Sequence, residues 1–89
     1  MSDIEILPMG PHEFSVTVAE GDVRTVHRIT VPDDIRDLLL DADEPAVVRE
    51  SVEVLLERRK VTELPDDFSL DWAMDEVPEL LDEVRTRLA

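Results

Sequence analysis

Cysteine is absent from the 89 residues. That excludes disulfides and thiolate-ligated metal sites, so nothing covalent supplements the modest core that a chain this short can bury. Oligomerisation is the remaining common remedy, and a homodimer is the expectation. Glycine occurs twice, at Gly10 and Gly21, which is too few to build a phosphate-cradling loop. Tryptophan and lysine occur once each, at Trp72 and Lys60. No apolar run approaches the roughly 18 residues that span a bilayer. The opening MSDIEILPMGPHEF has neither the basic region nor the long apolar stretch of a signal peptide. The expected setting is the cytoplasm, with no membrane association.

What the sequence has in abundance is acid: 23 Asp and Glu against 9 Lys and Arg, a formal charge of −14. Such a chain repels nucleic acid and anionic membranes and stays soluble. The charge reads either as adaptation to high salt or as a surface for a basic protein partner. It is unevenly spread. Residues 33–44 carry −5, residues 61–84 carry −9, and residues 45–60 carry +1.

Hydropathy patterning predicts a single α+β domain spanning 1–89. Residues 1–11, with Pro8, Gly10 and Pro11, read as an irregular lead-in open to disorder. In 13–19, Phe14, Val16 and Val18 alternate with Ser15 and Thr17, the period-2 pattern of a half-buried strand. Glu20-Gly21-Asp22 supplies a turn, and 23–31 supplies the second strand of a β-hairpin. Three or four short helices follow, at about 33–42, 46–60, 69–76 and 78–88. Pro32 opens the first, with Asp33 and Asp34 at its positive end. An apolar face of Val47, Val48, Val52, Leu55 and Leu56 marks the second, and Arg58, Arg59 and Lys60 suit its negative end. Residues 61–68 read as a loop, and Ser69 as a cap for the third helix. A two-stranded hairpin is marginal alone, so its edges are expected to pair across a dimer or with a partner strand.

Catalytic, metal and cofactor chemistry finds no support. His12 and His27 lie 15 apart with no third ligand at a recognisable spacing, and His27 sits on an apolar strand face as a structural residue would. Asp41-x-Asp43 starts like a calcium loop, but Pro45, Ala46 and Val52 then fall where that loop needs a ligand, a glycine and a glutamate. Ser2, Ser15, Ser51 and Ser69 lack the context of a nucleophile elbow. The chain is therefore expected not to be an enzyme and to carry no cofactor.

Two functional expectations remain. The first is a small acidic protein-interaction module. Its candidate surfaces are the hairpin edge and an acidic segment holding Trp72, Glu63, Asp66, Asp67, Asp71, Asp75 and Glu76. The second comes from a resemblance. From Arg24 to Lys60, a strand ending in Val31-Pro32, the acidic start Asp33-Asp34 and the helix VRESVEVLLERR resemble the ribbon-helix-helix family of dimeric DNA-binding proteins, which includes many antitoxins. The resemblance implies that strands from two chains pair and enter the major groove. Arg24, Val26 and Arg28 would then face the bases, and an acidic C-terminal segment would bind a protein partner. The whole chain also looks like short prokaryotic proteins of unknown function, which implies an order of elements and no chemistry.

Overall fold

The structure is a computed structural model, and it describes residues 3–38 and 43–88. Four strands form one sheet in the order β1 (Asp3–Gly10), β2 (Glu13–Glu20), β3 (Val23–Thr30) and β4 (Asp67–Ser69). The first three are antiparallel, and β4 joins β3 in parallel. The helices are α1 (Asp33–Leu38), α2 (Glu44–Arg58), α3 (Leu70–Glu76) and α4 (Leu80–Leu88), with a 3-10 turn at Val61–Glu63. The α+β class expected from sequence is the observed one. The final residues of the predicted first helix, 39–42, lie outside the described residues, and so does Asp41 of the rejected calcium-loop pattern.

Two expectations are corrected. The lead-in is not irregular: Asp3–Gly10 forms β1. Ile4 and Ile6 turn toward the core, while Asp3, Glu5, Leu7 and Met9 alternate to the other side. Pro8 is tolerated because β1 is an edge strand, and the irregularity that Pro8 and Gly10 bring is confined to a register shift between them. The segment 61–68 is not all loop, since it makes a 3-10 turn and then enters β4 at Asp67. The hairpin is thus completed into a sheet within one chain, by β1 on one side and β4 on the other.

The helices cover one face of this sheet. Phe14, Val16, Val18 and Ile29 are buried beneath them, together with Val48, Val52, Val54 and Leu55 of α2. Full burial of such side chains stabilises by about 1.5–3 kcal/mol each before chain entropy is counted. That packing holds α2 helical despite four β-branched valines. Leu80 and Val84 fix α4 to the same core. The Ser69 hydroxyl accepts the Trp72 backbone N–H at 3.5 Å and so caps α3. No helix among the described residues is long and apolar enough to cross a membrane.

Candidate protein-interaction surface

Among the described residues, no helix lies on the opposite face of the sheet. Strand register builds it in rows: Asp3, Ala19 and Arg24; Glu5, Thr17 and Val26; Leu7, Ser15, Arg28 and Asp67. Leu7, Met9 and Val26 are 60%, 56% and 57% exposed. Single exposed apolar residues are ordinary, but three on one uncovered sheet face form a patch. Beside them, Met9, Ser15, Val26, Arg28, Asp66 and Asp67 line a shallow groove of about 260 Å³ that also reaches His27.

The three residues that the family resemblance would place against DNA lie together here. Arg24, Val26 and Arg28 are exposed on this face. Arg24 approaches Glu5 at 4.0 Å, and Arg28 has no ion-pair partner within that distance among the described residues. Along its other edge β3 is paired only at Arg28–Thr30, by β4. The Arg28 N–H points outward to the Asp66 carbonyl at 2.7 Å, so by strand alternation the Arg24 and Val26 backbone groups point to the same edge, beyond the end of β4. On the opposite side β2 pairs with all eight residues of β3.

The acidic segment does not form one patch. The Glu63 carboxylate accepts the Lys60 backbone N–H at 2.8 Å, which closes the 3-10 turn. Glu76 pairs with Arg59 at 3.3 Å. Asp66 and Asp67 stand at the sheet groove, whereas Asp71 and Asp75 of α3 gather with Asp34 of α1. Burial, then the facing Asp34 carboxyl and then Asp75, raise the Asp71 pKa above its ordinary 3.8. Trp72, also on α3, is half-buried with its ring 5.1 Å from that of Phe68.

Much of the remaining acid is matched by arginine along α2 and α4. Arg58 bridges Glu79 and Glu83, and Arg87 reaches Glu50, Glu53, Glu57 and Glu83. The Glu79 carboxyl is held below its ordinary range by a backbone hydrogen bond and by Arg58. Burial and the neighbouring Glu53 push Glu50 up, against the pull of Arg87 and Arg49.

Both histidines are engaged. His27 is buried. Its Nδ1–H donates to the Pro65 carbonyl and its Nε2 accepts the Thr25 hydroxyl, each at 2.7 Å. His12 sits in the β1–β2 turn with φ at 59°. There Arg36 donates to Nε2 at 2.7 Å and Nδ1–H donates to Glu44 at 2.8 Å. The Arg36 donor fixes His12 as its Nδ1–H tautomer, and the Pro65 carbonyl places a proton on Nδ1 of His27. Among the described residues no three His, Asp or Glu side chains gather to hold a metal ion. A void of about 10 Å³ between the helices is walled mainly by apolar side chains such as Ile35, Val47 and Leu80, and it is too small for a ligand.

Leu7 and Met9 are absent from the residues picked out by sequence. The signal for them was the alternation Asp3-Ile4-Glu5-Ile6-Leu7, which the nearby prolines and glycine obscured. No protein-family model matches the chain, and neither a curated protein nor a solved structure does.

Proposed function

We propose that this chain is a non-enzymatic protein-interaction module of the cytoplasm that docks a protein through the open face of its sheet. The observation that carries this reading is the placement of Leu7, Met9 and Val26, each more than half exposed, on one helix-free face flanked by Arg24 and Arg28. Exposed apolar side chains, methionine among them, interleaved with arginine are enriched at protein interfaces. The strongly acidic exterior elsewhere disfavours nucleic acid or an anionic membrane as the partner. A photo-crosslinking side chain at position 26, compared in cells with one at position 75 on α3, tests the reading. Protein adducts are expected from position 26. Their absence at that position removes the docking face and the proposal with it.

A second reading, a ribbon-helix-helix-type DNA-binding regulator or antitoxin, is favoured by one observation: Arg24 and Arg28 are exposed on the same face, on either side of Val26. It requires the ribbon to form through β3, whose free edge runs only from Val23 to His27. Replacing both arginines with alanine would abolish binding in a DNA mobility-shift screen under this reading, and would leave protein adducts in place under the first.

A further inference from the structure

We infer that the occupant of the open sheet face is a second copy of this chain, apposed face to face across a twofold axis. The inference rests on the interaction-module reading and adds the partner's identity.

Charge placement carries it. The open face and its groove hold Asp3, Glu5, Glu13, Asp66 and Asp67 against Arg24 and Arg28, a balance of −3 within the total of −14. Most of the remaining negative charge among the described residues lies on the helices and turns. Repulsion between two copies scales with the product of the facing charges. Helix-to-helix approach therefore meets the strongest repulsion, and sheet-to-sheet approach meets the weakest. The sheet face is also where the exposed Leu7, Met9 and Val26 cluster, so the orientation of least repulsion is the one that removes this apolar patch from water.

The face is chemically suited to meet itself. A twofold contact needs a self-complementary surface, and this one offers apolar residues on both sides of β2, Leu7 and Met9 on β1 and Val26 on β3, with both charge signs among them. The Arg24–Glu5 pair, only loosely closed at 4.0 Å within one copy, can close between copies instead. Three eight-residue strands and a short fourth, spaced ~4.8 Å apart and rising ~3.3 Å per residue, present roughly 400–500 Å² per copy. The two copies together then bury close to the ~1,000 Å² at which specific interfaces begin. The contact is accordingly weak, and salt strengthens it by screening the repulsion between two chains of like charge.

Sedimentation equilibrium of the full chain, at low and at molar NaCl, tests this. The expected result is a reversible dimer whose dissociation constant falls as salt rises. Val26→Glu and Leu7→Glu each place a carboxylate at an apolar position of the face and should weaken the dimer at least tenfold. Thr62→Glu adds the same charge at an exposed position off the sheet and should act much less. The substituted residues are exposed, and circular dichroism verifies that each variant is folded; either face variant suffices if the other is not. A wild-type monomer at both salts overturns the inference, and so does a dimer that tolerates the face variants. A monomer whose position 26 still crosslinks to a different protein would overturn the second-copy inference alone and leave the docking face standing.

Discussion

The Nδ1–H of His27 donates to the backbone carbonyl of Pro65, 38 residues further along, at 2.7 Å. That bond ties the middle of β3 to the segment that leads into β4. The Thr25 hydroxyl satisfies the other ring nitrogen, and the edge of the ring faces Phe68 of β4 with centroids 6.3 Å apart. His27→Phe keeps an aromatic ring, of somewhat larger volume, but strands the Pro65 carbonyl, at a cost of about 1–3 kcal/mol. His27→Ala also opens a cavity, and about 2–4 kcal/mol is expected. Urea unfolding should show lower midpoints with an unchanged slope. Midpoints equal to wild type would remove the structural role assigned to this histidine.

Trp72 is expected to act through stability. Its ring packs on Phe68 at 5.1 Å and against the core. Trp72→Ala should lose about 1–3 kcal/mol, below the loss at a fully buried tryptophan because part of the ring remains in water. Trp72→Phe should restore most of it. If Trp72→Ala unfolds at the wild-type urea midpoint, the ring is not an anchor for α3, and its role as a docking residue returns.

The fold was legible where one physical signal dominated. Phe14, Val16 and Val18 alternate without interruption, and Val47, Val48, Val52 and Leu55 keep helical spacing; both groups are buried as that spacing implies. β1 was hidden because prolines and glycines mark turns locally, whereas an edge strand tolerates them for the tertiary reason that one of its sides is unpaired. β4 was hidden because three residues are too few to show a period, and their pairing depends on β3, far away in sequence. The acidic segment misled for a similar reason. Adjacency in sequence suggested one patch, but a 3-10 turn, a strand and a helix send Glu63, Asp67 and Asp71 to different surroundings. The open face, by contrast, is a relation between strands: alternation picks out Ser15 and Thr17 on one and Arg24, Val26 and Arg28 on another, but not that Leu7 and Met9 lie beside them.

Asp71 provides a test of the α1–α3 contact that does not depend on overall stability. Its carboxyl is raised by burial first and by Asp34 second. A carboxyl raised on folding binds its proton more tightly in the native chain than in the unfolded one. This group's contribution to stability therefore falls as pH rises from the ordinary aspartate value through the raised one. In an NMR titration, Asp34→Asn should move the Asp71 midpoint toward the ordinary value without bringing it fully back, because its partial desolvation remains. An unmoved midpoint would mean that the two carboxyls do not face each other.

Arg87 offers the clearest separation of charge from packing. Its guanidinium pairs with Glu57 and lies 3.9 Å from Glu50, Glu53 and Glu83, so one cation holds together four carboxylates of α2 and α4. Arg87→Met keeps an apolar stem over the surface and removes only the charge. The four carboxylates then repel across the helix pair, apart from the hold that Arg58 keeps on Glu83. The thermal midpoint should fall at low salt, and the gap to wild type should narrow in molar NaCl, as the screening length shrinks from ~10 Å at 0.1 M to ~3 Å at 1 M. Wild type itself should gain thermal stability over the same range, since the −14 chain repels itself. Arg24→Met, at a lone exposed pair 4.0 Å from Glu5, should leave the midpoint nearly unchanged at either salt. A drop at Arg87→Met that is equal at low and high salt would assign the loss to the stem and not to the charge. The network would then be a consequence of how α4 packs on α2, and not one of its causes.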